Sequence, residues 1–132
     1  MVRLAALILM ILASTAALGQ EPIFAKVLSC YDGDTCRLER EVLPGRDQFH
    51  LANADTPEIE GQCAAEKQRA IEARDYTRSM VVGRVVSLLA VRPDKYRKRL
   101  DAYVSVDGRD LGSALIAAGL ARPYGQRAGW CD

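Results

Sequence analysis

Short apolar runs separated by turn signals set the pattern of the chain beyond residue 20. "FAKVLSCY" (Phe24–Tyr31) mixes apolar and β-branched residues and reads as a strand, closed by the hairpin dipeptide Asp32-Gly33. "TCRLEREVL" (Thr35–Leu43) reads as the return strand and Pro44-Gly45 as the next turn. In "DQFHLANA" (Asp47–Ala54), Phe49 and Leu51 fall on one face and His50 on the other. The opening therefore predicts three meandering antiparallel strands. Thr56-Pro57-Glu58 breaks the alternation. From Cys63 to about Met80 the chain turns to helix formers, with Ala70, Ala73, Thr77, Met80 and Val81 as a modest buried stripe and Gly83 as the stop. "RVVSLLAV" (Arg84–Val91) and "RLDAYVSV" (Arg99–Val106) read as two further strands, and Asp107-Gly108 as a turn. Asp110 can cap a short helix through Leu111, Leu115 and Ala118 that ends at Gly119.

Three strands, a helix, two strands and a helix suit an α+β domain dominated by strands. The expected architecture is a small five-stranded Greek-key barrel of the OB type with two helices. No repeat, low-complexity tract or linker divides it.

The N-terminus changes the picture of where the chain works. "MVRLAALILMILASTAALG" carries Arg3, an apolar run from Leu4 to Leu12, and small residues toward Gly19. That is the pattern of a secretory signal peptide, with Ala17 at −3 for cleavage near Gly19–Gln20. The apolar run is short for a membrane span of about 20 residues, and an uncleaved anchor is the minority reading. No cysteine follows the cleavage region, which argues against a lipoprotein anchor. The expected division is signal peptide over 1–19 and one domain over 20–132, exported to a periplasm or the medium, monomeric, and without stable membrane association after cleavage.

Charge excludes less than it might. The whole chain has 18 Lys+Arg and 17 Asp+Glu. Removing the leader takes away Arg3 and no acid, leaving 17 against 17. Net charge thus does not mark a nucleic-acid binder, and any attraction for phosphate must come from local arrangement. The four cysteines, Cys30, Cys36, Cys63 and Cys131, are an even set in an exported chain and favour disulfides. Three pairings are possible. Cys30–Cys36 with Cys63–Cys131 is preferred, because the first pair flanks a turn and the second ties down the C-terminus. A zinc site is the rival reading, but Cys63 and Cys131 have no near partner in sequence.

Candidate chemistry lies in three segments. "DGDT" (Asp32–Thr35) and "DTPE" (Asp55–Glu58) have ordinary readings as a hairpin turn and a strand end before a helix. Taken together they bring Asp34 and Asp55 into one three-strand meander. Two carboxylates repel unless a cation lies between them, and Ca²⁺ takes carboxylates alongside backbone carbonyls. Thr56 could supply such a carbonyl, and Glu58 lies close enough to deprotonate a water. "RPDKYRKRLDAY" holds Arg92, Lys95, Arg97, Lys98 and Arg99 around Tyr96. It reads either as a solvated loop or as a phosphate clamp with a tyrosine able to stack a base. Acids, a glutamate and an arginine cluster suit metal-assisted phosphodiester hydrolysis.

At these residues the chain resembles the staphylococcal nuclease (thermonuclease) family. The resemblance rests on "DGDT", "DTPE", "DKY" with an arginine just after it, and "DGRDLGSALIAAGLARPY" (Asp107–Tyr124), in matching order. The ending "GQRAGWCD" is similar to the exported, cysteine-bearing branch, which lacks the long third helix. The resemblance implies an OB barrel and a Ca²⁺-dependent nuclease acting on DNA and RNA, with a single strand of either as substrate. It maps metal ligands onto Asp34, Asp55 and the Thr56 carbonyl, and the general base onto Glu58. Lys95 and Tyr96 fall where the family contacts a terminal phosphate, and Tyr124 lies near its substrate-side tyrosines.

The chain departs from the family at two places. The family's Asp-Lys-Tyr-Gly-Arg is here "DKYRKR". Counting back from Asp107-Gly108 places the catalytic arginine at Arg99, because strand parity into the turn must hold. Counting forward gives Lys98, and Arg97 is a fallback. Five residues before Asp55 the family has its other catalytic arginine, and here His50 takes that place. Imidazolium donates to phosphate only while charged and lacks the bidentate fork. Losing one transition-state donor costs about 10²–10³ in rate. Two readings follow: a slow nuclease with Glu58, Arg99 and His50 as its catalytic residues, favoured by mild acid, or a non-catalytic OB-type module that binds nucleic acid or protein.

Overall fold

The computed structural model describes residues 20–126 and 129–131, so the expected signal peptide lies outside the described residues. The first strand, β1 (Ile23–Cys30), turns the side chains of Ala25 and Val27 into the core. It pairs antiparallel with β2 (Thr35–Leu38), in register Cys30↔Cys36. The connection is a four-residue loop, Tyr31–Asp34, with Tyr31 N donating to Thr35 O at 3.0 Å. Asp32 Oδ1 accepts from Asp34 N at 3.1 Å, an Asx turn. Gly33 is needed here for close approach. A Cβ on it would stand 2.8 Å from Thr56 Cγ2 and 2.9 Å from Ala73 Cβ.

The predicted return strand stops five residues early, at Leu38. Glu39 N donates to Lys26 O at 2.9 Å, and the chain then leaves the sheet. Leu43-Pro44-Gly45-Arg46 makes a turn with Gly45 at φ 73° and Arg46 N donating to Leu43 O. Pro at the second turn position and a positive-φ glycine at the third suit type II geometry. The third predicted strand divides into β3 (Gln48–Leu51), antiparallel to β2, and β4 (Ala54–Asp55).

Helix α1 (Ala64–Val81) starts at Cys63, whose sulfur accepts from Glu66 N, and Val82 caps it ahead of Gly83 at φ 79°. Ala70, Ala73, Thr77 and Val81 form its buried stripe, while Met80 is only partly buried. Strand β5 (Val85–Pro93) pairs with β1, and β6 (Arg99–Val106) pairs with β5. The β5–β6 register shifts between Leu89 and Arg92, where Ala90 takes φ 53°. Asp107-Gly108, both at positive φ, reverses β6 into β7 (Arg109–Asp110) as a hairpin. Asp110 then caps α2 (Leu111–Ala117), accepting from Ser113 N at 2.8 Å.

The barrel closes where β3 meets β6 in parallel, giving the order β3-β2-β1-β5-β6 and back to β3. Phe49, Leu51, Leu88, Leu100, Ala102 and Val104 fill the interior, with Leu111 and Leu115 of α2 among the core. A final strand, β8 (Arg122–Pro123), pairs with β4. Both disulfides have the preferred pairing, Cys30–Cys36 and Cys63–Cys131. Among the described residues no helix is long and apolar enough to cross a membrane.

Candidate functional site

The aspartate loop Tyr31–Asp34 is held from behind by α1. Thr77 Oγ1 donates to Gly33 O at 2.7 Å, and Arg78 Nε and Nη2 both donate to Cys30 O, at 3.0 and 2.8 Å. Neither residue carried a functional signal in sequence. Beside the loop, the Cys30–Cys36 bond ties β1 to β2. Asp34 is thereby fixed at the barrel rim, where its Oδ2 accepts from Thr56 N at 3.1 Å.

Asp34 opens onto a cavity of about 760 Å³. Every acidic residue singled out in sequence, Asp34, Asp55 and Glu58, lines it. So do His50, Lys95, Tyr96, Arg99 and Tyr124. Arg97 and Lys98, the rival positions for the arginine, do not. Thr56 stands behind the rim, buried, with its backbone N–H on Asp34. The cavity also takes in Asp32 and Asp94, read in sequence only as parts of the DGDT and DKY motifs, and Asp101, which sequence reasoning gave no role.

Electrostatics divides the wall. Burial pushes the Asp32 carboxyl well up, with the Asp34 charge and a hydrogen bond between the two side chains adding to it. Burial pushes Asp34 the same way but is outweighed by hydrogen bonds from His50 and Asp32, so Asp34 lies low. The pair therefore carries its charge on Asp34. His50 is lifted despite its burial, because Asp34 accepts its hydrogen bond and attracts its charge. Its ring lies between two carboxylates, Nε2 3.5 Å from Asp34 Oδ2 and Nδ1 3.3 Å from Asp101 Oδ1. Glu58 is raised by partial burial and by the charges of Asp34 and Glu66. Its backbone N donates to Glu66 Oε2 at 3.2 Å, so the first turn of α1 holds the loop that presents it.

Cations line the same cavity. Arg99, the first residue of β6, bonds Asp94 through Nε and lies over the Tyr96 ring at 4.5 Å. Burial would raise Asp94, but the Arg99 hydrogen bond and charge hold its carboxyl below the usual range. Lys95 Nζ stands 5.2 Å from the same ring. The loop bearing these groups is clamped by a residue just after the Pro44-Gly45 turn, one that carried no signal in sequence. Arg46 Nη1 donates to the carbonyls of Asp94, Tyr96 and Arg99, at 2.9, 2.9 and 2.5 Å. Arg46→Ala leaves those carbonyls without their charged donor. It is expected to cost about 1–3 kcal/mol in urea denaturation and to open residues 94–99 to limited proteolysis. Unchanged stability and cleavage would remove the clamp from this account.

The donor set suits a divalent cation. Asp34, His50 and Asp55 each offer one ligand atom, all within 4.8 Å of one another. Tyr124 and Gly125 complete the rim, with Gly125 N donating to Asp55 Oδ2 at 3.1 Å. The aspartate loop precedes β3, whereas the rest of the site lies within residues 48–129, the stretch that matches the family described as staphylococcal nuclease homologue. That match spans more than half of the 132-residue sequence, and the closed five-stranded barrel agrees with it. The chain belongs to the staphylococcal nuclease family.

Proposed function

We propose that the protein is an exported, metal-dependent nuclease that hydrolyses phosphodiester bonds of DNA or RNA. The observation that carries this reading is a single cavity lined by Asp34, Asp55 and Glu58 together with Arg99 and Lys95. Asp34 and Asp55, with the Thr56 carbonyl, hold the ion, which the resemblance implies is Ca²⁺. A bound divalent ion neutralises phosphate oxygens and polarises the ester. Glu58 takes a proton from the attacking water. Arg99 leaves Asp94, or shares it, to donate to the phosphoryl oxygens as negative charge builds on them. Lys95 and Tyr96 hold a neighbouring phosphate, and Tyr124 offers an exposed ring to a base. His50, the third catalytic residue expected from the sequence, lines the same cavity beside Asp34.

Export is supported by the leader pattern and by two disulfides, which persist in oxidising compartments. The test is cleavage of single-stranded DNA by the full domain, with Ca²⁺ or Mn²⁺ supplied and then removed by chelator. Cleavage that needs the ion is the expected result. No cleavage above background with either ion would leave the binding module as the reading.

A further inference from the structure

We propose that His50 is a metal ligand, and that Asp34, His50 and Asp55 form a mixed nitrogen–oxygen site taking a first-row transition ion in preference to Ca²⁺. The inference rests on the reading that Asp34 and Asp55 hold the ion, and adds its class. Ligand atoms held about 2.1 Å from such an ion stand roughly 3.0–3.4 Å apart. His50 Nε2 lies 3.5 Å from Asp34 Oδ2, so only slight closing is required. Asp55 lies in the same three-residue cluster.

The other ring nitrogen explains why Nε2 is the ligand. Parallel pairing of β3 with β6 sets His50 opposite Asp101, and Nδ1 stands 3.3 Å from Asp101 Oδ1. An incoming ion displaces the Nε2 proton that Asp34 otherwise accepts, Nδ1–H stays on Asp101, and Nε2 then offers its lone pair on the side of Asp34. A carboxylate behind the histidine is the usual support of a metal-bound imidazole, fixing its tautomer and orientation. The ring side chain is only 13% exposed, so it is held in this pose rather than free to sweep the cavity.

A second observation lies beside the cluster. Thr56, whose N–H donates to Asp34, is 4% exposed, and its Oγ1 has no hydrogen-bond partner among the described residues. A hydroxyl buried there without a partner carries a desolvation cost, on the residue whose backbone N–H holds Asp34. His50, Asp94 and Asp101 make a second such cluster, but there the Arg99 guanidinium already bonds Asp94. Calcium takes six to eight hard oxygens, and a nitrogen in the ring of donors works against it. Imidazole with carboxylates instead suits Mn²⁺, Co²⁺ or Zn²⁺. All described cysteines are in disulfides, so no thiolate offers these ions another site.

Pulsed EPR on the Mn²⁺-loaded wild type tests the proposal without any substitution, since a ligated imidazole couples its ¹⁴N to the electron spin. Calorimetry with Mn²⁺, Zn²⁺ and Ca²⁺ on wild type, His50→Gln, Asp101→Asn and Asp34→Asn gives the selectivity. The expected result is ¹⁴N coupling in the wild type that His50→Gln abolishes. Mn²⁺ and Zn²⁺ should bind more tightly than Ca²⁺, with the gap narrowed in His50→Gln. Asp101→Asn should weaken the transition ions about 10–100-fold while leaving Ca²⁺ alone. Ions that bind, and are lost in Asp34→Asn, without nitrogen coupling and with the same selectivity in His50→Gln would overturn the role of His50 and keep the Asp34–Asp55 site. Binding of every ion unaltered by Asp34→Asn, or no binding at all, would overturn the metal site and this inference with it.

Discussion

Glu58→Gln is expected to lower kcat on single-stranded DNA about 10²–10⁴-fold, the range of a positioned general base, with little change in KM. The amide keeps the size and shape of the side chain. The loop that carries it is held through its backbone, by Glu58 N on Glu66 Oε2 and Gln62 N on Glu66 Oε1, so the substitution leaves the presentation intact. What is lost is a single acceptor for a proton. The pH profile gives the signature. Partial burial and the charges of Asp34 and Glu66 lift the Glu58 carboxyl above its ordinary 4.5. A base works only when deprotonated, so kcat/KM should fall as pH drops through that raised value. The acidic limb should therefore lie above 4.5 in the wild type and be missing from the residual activity of Glu58→Gln. A glutamine variant that cuts at the wild-type rate would move the base to another group.

The residues that made this site readable were those whose placement follows from local order. Leu100, Ala102, Val104 and Val106 alternate inward along β6. Parity counted back from the Asp107-Gly108 turn therefore placed Arg99 on the cavity, and the structure has it there. Both Asp-Gly turns reverse the chain into an antiparallel strand as their dipeptides indicate, and Asp107-Gly108 does so with both residues at positive φ, whereas Asp32-Gly33 does not. There the chain uses the side chain of Asp32 and the closeness of Ala73 instead of a positive-φ glycine. That choice is made by α1 packing, which two residues of loop sequence do not encode.

What stayed hidden depends on contacts between distant parts of the chain. Asp101 carries no motif, and its place behind His50 exists only because β3 and β6 close the barrel in parallel. Arg46 follows an ordinary Pro-Gly turn, and its reach to Asp94, Tyr96 and Arg99 spans about fifty residues of sequence. Strands β4 and β8, two residues each, are too short to show any period. They nonetheless set the tail beside Asp55. The same barrel closure that supports the core thus assembles the acid side of the site.

The tail supplies the second large effect. Replacing both members of one disulfide, Cys63→Ser with Cys131→Ser, is expected to cost about 4 kcal/mol by the loop-entropy relation, because this bond closes a separation of 68 residues. The matching pair at Cys30 and Cys36 spans only 6 residues and should cost about 2 kcal/mol on the same relation. Urea denaturation of the two double variants separates them by order as well as size. The long-range bond also has a local consequence. Cys63 caps α1, Cys131 Sγ lies 3.8 Å from Glu66 Oε1, and Glu66 holds the Glu58 loop. On the way to Cys131 the chain places Tyr124 N on Asn53 O, Gly125 N on Asp55 Oδ2, and the Arg122 guanidinium over the Trp130 ring at 4.1 Å. Releasing the tail should therefore weaken divalent-ion binding under conditions where the fold persists. Opening Cys30–Cys36 acts instead on the Asp34 side, where Thr77 and Arg78 still hold the loop. If both double variants lost equal stability and bound the ion as the wild type does, the tail would be mere covering. If the long-range pair alone lost ion affinity, Tyr124 and Gly125 would count as a working wall of the site.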